Sequence, residues 1–90
     1  MDKTTSNKAL LEELGYSDSI VFSNPDYDAA IVGISSDDRV IYDYDEMIAC
    51  LMLEDDMTTE EAMDFIDYNT LRALPYAGEG APIVVYKLNF

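Results

Sequence analysis

Ninety residues, 49% of them apolar and 11% aromatic, are enough for one domain with its own core and too few for two. Nineteen Asp and Glu against five Lys and Arg give a net charge of −14, which sets the chain against direct binding to nucleic acid and to anionic membranes. The single cysteine, Cys50, excludes an intrachain disulfide framework, and the absence of histidine removes the usual general base near neutral pH.

In chain order, the first predicted element is a helix. Thr5 or Ser6 supplies its N-cap, Leu10, Leu11 and Leu14 form an apolar stripe, and Gly15 stands at the C′ position. Ile20 to Phe22 then reads as a short strand or an ordered loop, closed by a turn at Asn24-Pro25-Asp26. Ala30–Ile34 and Val40–Asp43 are rich in β-branched residues and are separated by Ser35-Ser36-Asp37-Asp38, the pattern of a β-hairpin.

A second helix follows, opened by Asp43 or Asp45, with Met47, Ile48, Leu51 and Met52 at helical spacing. Cys50 and Leu53 are apolar too, which predicts a helix covered on more than one side and an inert, buried thiol. Thr58 with Glu61 three residues later is a capping box that opens a third helix, with Ala62, Phe65 and Ile66 facing the core and Pro75 ending helical structure. After the loop "YAGEGAP", Ile83 to Leu88 is a nearly continuous apolar strand, expected to be central or covered on both faces. The expected fold is a single α+β domain over residues 1–90, order α-β-β-α-α-β, with about three strands in an antiparallel or mixed sheet packed by helices.

No catalytic constellation emerges. There is no Ser-His or Cys-His pair, and no tryptophan to stack a sugar between paired carboxylates. Asn24, Asp26 and Asp28 alternate like the first ligands of a calcium loop. The required sixth-position Gly is Ala29, however, and the twelfth-position Glu is Ser35, so no metal or other cofactor is expected. Neither an apolar leader nor a run near the roughly 20 residues of a membrane span occurs, and a cytoplasmic monomer or small homo-oligomer is expected.

What stands out is Tyr42 to Asn69, which holds ten carboxylates and no Lys, Arg or His. Glu60, Asp64 and Asp67 lie at i, i+4 and i+7 on the third helix, with about 6 Å of rise between the first two, and Glu54, Asp55 and Asp56 precede it. Like charges at that spacing cost helix stability, and a surface made only for solubility would intersperse lysine. This pattern is expected of a protein that occupies the Lys/Arg groove of a basic, nucleic-acid-handling partner, with Tyr44 and Tyr68 adding apolar anchor area. The alternative is a small structural or assembly protein whose acidic face serves solubility.

The phrase "FIDYNTLRALPYAG", Phe65 to Gly78, with weaker likeness around "IVFSNPDYDAAIVGIS", resembles a group of short acidic proteins of unassigned function from Gram-positive bacteria and their phages and mobile elements. The resemblance covers roughly the second half of the chain and transfers no catalytic residue. It implies a setting that includes inhibitors of host defence, among them anti-CRISPR proteins that block the nucleic-acid channel of a Cas nuclease.

Overall fold

The computed structural model describes residues 6–16, 18–23 and 25–88. Helix α1 spans Asn7–Glu13, strands β1 and β2 span Ile31–Ile34 and Val40–Asp43, helices α2 and α3 span Tyr44–Glu54 and Thr59–Phe65, and strand β3 spans Ile83–Val85. The order α-β-β-α-α-β is the one expected, and the class is α+β. The sheet is mixed: β2 lies between an antiparallel β1 and a parallel β3.

Local chemistry sets the element boundaries. Ser6 caps α1 by accepting from the Ala9 amide, while Thr5, the other candidate cap, lies outside the described residues. The Asp28 carboxylate also accepts from the Asn7 and Lys8 amides at 3.0 and 2.9 Å, so it satisfies first-turn donors that would otherwise lack partners. That use of Asp28 accounts for one member of the apparent calcium pattern; Asn24, another, lies outside the described residues. Between β1 and β2, the Ser35 amide donates to Arg39 O at 2.8 Å and Asp38 adopts the left-handed conformation that Asp tolerates.

Asp43 rather than Asp45 caps α2, its carboxylate accepting from the Glu46 amide at 3.0 Å. The capping box of α3 is present in both directions, Glu61 N–H to Thr58 Oγ1 at 3.1 Å and Thr58 N–H to Glu61 Oε1 at 2.9 Å. A cap of this kind is worth about 0.5–2 kcal/mol.

The core gathers Leu11, Tyr27, Ala30, Val40, Tyr42, Met47, Leu51, Ala62 and Ile66. Tyr27 holds a left-handed backbone (φ 48°) while fully inside, its ring edge-on to Phe22 and its hydroxyl 3.4 Å from Thr70 Oγ1. Ile20 to Phe22 is an ordered loop. The Phe22 carbonyl accepts from Lys8 Nζ at 2.7 Å, and its amide donates to the Tyr42 hydroxyl at 3.1 Å.

Four expectations are corrected. The α1 stripe does not bury: Leu11 is inside, while Leu10 and Leu14 are exposed, because a helix of seven residues offers the core less than one full stripe. Helix α2 buries one side only, through Tyr44, Met47, Cys50 and Leu51, and leaves Leu53 88% exposed. Strand β3 is an edge of three half-buried residues, and β2 is the central strand. Finally, α3 stops at Phe65, where the hydrogen-bond ladder widens into a π turn over Ile66–Leu71, followed by a 3-10 turn over Leu74–Tyr76 that contains Pro75.

Candidate binding face

Helix α2, the Asp55–Thr58 connection, α3 and the π turn bring the carboxylates to the surface. Glu54, Asp55, Asp56, Glu60, Asp64 and Asp67 are all exposed. Asp56 is left-handed (φ 59°), and the Met57 amide turns back toward Leu51 O at 3.5 Å, so the acidic connection also ends α2 in a form where glycine is usual. Glu60 and Glu61 sit in the first turn of α3, where the exposed amides favour negative charge. Among the described residues, the ion pairs are Lys8–Asp26 and Arg39–Asp37, away from this face.

The two tyrosines proposed as anchors part company. Tyr68 is 66% exposed, with the Arg72 guanidinium 5.6 Å from its ring centroid. Tyr44 is only 7% exposed, which corrects its assignment as contact area. Its ring packs on Tyr86 at 4.8 Å, and its hydroxyl donates to Asp67 Oδ1 at 3.2 Å. Tyr44 therefore orients one carboxylate of the face, while Tyr68 is the exposed tyrosine of the two.

Burial, reinforced by the neighbouring Asp67 charge and by the hydrogen bond to it, pushes the Tyr44 phenol up to about 12. The native state thus holds this proton more tightly than the unfolded chain, whose tyrosines titrate near 10. The resulting stability is fully present below about pH 10 and is lost as pH rises through about 12. Native protein should therefore lose more urea resistance between about pH 9 and about pH 11.5 than Tyr44→Phe does. Burial also raises the Tyr27 and Tyr42 phenols, so the variant keeps part of the decline. Equal losses in both proteins would refute the Tyr44–Asp67 linkage.

Two grooves flank the π turn. One, of about 290 Å³, is lined by residues such as Phe22, Tyr27, Thr70, Leu74 and Pro82, with no charged side chain among the described lining residues. The other, of about 480 Å³, is shallow and lies on the acidic face, lined by Met57, Glu61, Asp64, Phe65, Tyr68 and Asn69. Sequence reasoning used Glu61 only as a capping residue and Phe65 only as core, and so missed this groove. Its signal is the i, i+4, i+7 spacing of Glu61, Phe65 and Tyr68. The Cys50 thiol is buried and pushed up by desolvation, with the Glu54 charge adding to it.

Among the described residues, no group of three or more His, Cys, Asp or Glu side chains converges as a metal site, and no helix is long and apolar enough to cross a membrane. No protein-family model, no curated protein and no solved structure matches this chain.

Proposed function

We propose that this protein is a non-enzymatic binding protein whose acidic face occupies the basic groove of a nucleic-acid-handling partner, a Cas nuclease being one partner of that kind. The observation that carries the reading is the exposure of Glu54, Asp55, Asp56, Glu60, Asp64 and Asp67 on consecutive, capped elements, with no Lys or Arg in the stretch they span. Rigid, unneutralised carboxylates present a partner's Lys and Arg with the charge sign that nucleic-acid phosphates would present.

Because the charges are solvated before contact, binding should weaken steeply with salt. Capture of proteins from a host lysate at low and moderate salt tests this. The expected catch is a basic nucleic-acid-binding protein, released as salt rises. Capture that ignores salt, or of the chain itself alone, would sink the reading in favour of an assembly module.

A further inference from the structure

The geometry points to the groove formed by Met57, Glu61, Asp64, Phe65 and Tyr68 as the seat of an arginine side chain presented by the basic partner. This rests on the function proposed above and names the chemical group the acidic face selects. Met57 and Phe65 are half-buried, so the groove has apolar surface on which methylene groups of a long side chain can lie. Glu61 and Asp64 are exposed carboxylates on its wall, Glu61 with one oxygen already accepting from the Thr58 amide, and the described lining residues include no cation. Tyr68 offers an aromatic face at the same place, where a planar guanidinium stacks better than a compact ammonium.

The molecule already places one guanidinium on this ring. Arg72 lies 5.6 Å from the Tyr68 centroid and is not among the described residues that line the groove. The uncharged groove on the other side of the π turn offers no such complement, and a chain of net charge −14 is a poor occupant for a second copy's acidic wall.

An oligoarginine and an oligolysine peptide of equal length, titrated into the full chain at low salt and followed by NMR, separate this proposal from its rivals. The arginine peptide should bind about two- to fivefold tighter, with shifts centred on Met57, Phe65 and Tyr68. Tyr68→Leu keeps apolar area and should equalise the two peptides, whereas Tyr68→Phe should retain the preference. Equal affinities in the native chain, a preference that survives Tyr68→Leu, or shifts centred elsewhere would overturn the assignment. Groove signals that move with protein concentration alone would make a second copy the occupant and also overturn it. If both peptides bind equally and both are lost on neutralising Glu60, Asp64 and Asp67, arginine selection fails and the acidic-face function stands. If neither peptide binds, both fail together.

Discussion

The combined change Glu60→Gln, Asp64→Asn and Asp67→Asn should weaken capture of the proposed basic partner by about threefold to a hundredfold at physiological salt and flatten its salt dependence. Each exposed pair contributes only about 0.2–1 kcal/mol, so three are needed for an effect of that size. The control is built into the choice of residues. Neutralising Glu60 relieves its i, i+4 repulsion with Asp64 but gives up its favourable place in the first turn of α3, so the two effects, each about a few tenths of a kcal/mol, should largely offset and change α3 stability little. An asparagine at position 67 can still accept from the Tyr44 hydroxyl through its amide oxygen, which preserves that contact. Lost capture with an unchanged unfolding midpoint therefore reports the surface. Unchanged capture would show that the stripe is a solvated face.

Tyr42→Ala should cost about 3–5 kcal/mol, a large part of the roughly 5–15 kcal/mol usual for a folded domain. Tyr42 is fully buried in the central strand, with its ring 4.6 Å from that of Phe22. Its hydroxyl accepts the Phe22 amide, so truncation leaves a cavity and also removes an acceptor from a backbone donor. Tyr42→Phe isolates the second effect and should cost about 1 kcal/mol. Urea unfolding of the three proteins checks the order. A Tyr42→Ala loss below about 1 kcal/mol would mean that the loop through Phe22 repacks freely and is not pinned by this side chain.

Most of the element boundaries were legible in the sequence because each is decided by residues within a few positions. Thr58 with Glu61, Asp43 ahead of Tyr44, and Ser35 to Asp38 between two β-branched runs all act locally. Burial was less legible, because it depends on partners distant in the chain. Leu14 and Leu53 follow helical spacing, yet both stay exposed among the described residues. The strand after Pro82 is apolar enough for a central position, but a half-buried edge strand reads the same way. Tyr44 sits among carboxylates and looks like surface, until Tyr86 from the far end of the chain packs on it. The π turn has no residue code of its own, so the break after Phe65 could not be anticipated.

The parallel pairing of β2 with β3 has a consequence for the order of events in folding. The β1–β2 hairpin closes over a tight turn, whereas the β2–β3 seam waits for α2, α3 and the π turn to be in place, at a larger entropic cost. That seam should be the last to zip and the first to fray, with Val84 and Val85 amides exchanging with solvent sooner than those of Val40–Tyr42. Exchange as slow as the hairpin's would contradict this. Every carboxylate of the candidate face lies within this one crossover. The hairpin anchors one end of the crossover, and three residues of edge strand latch the other. How fixed a charge pattern the acidic face presents therefore depends on that latch.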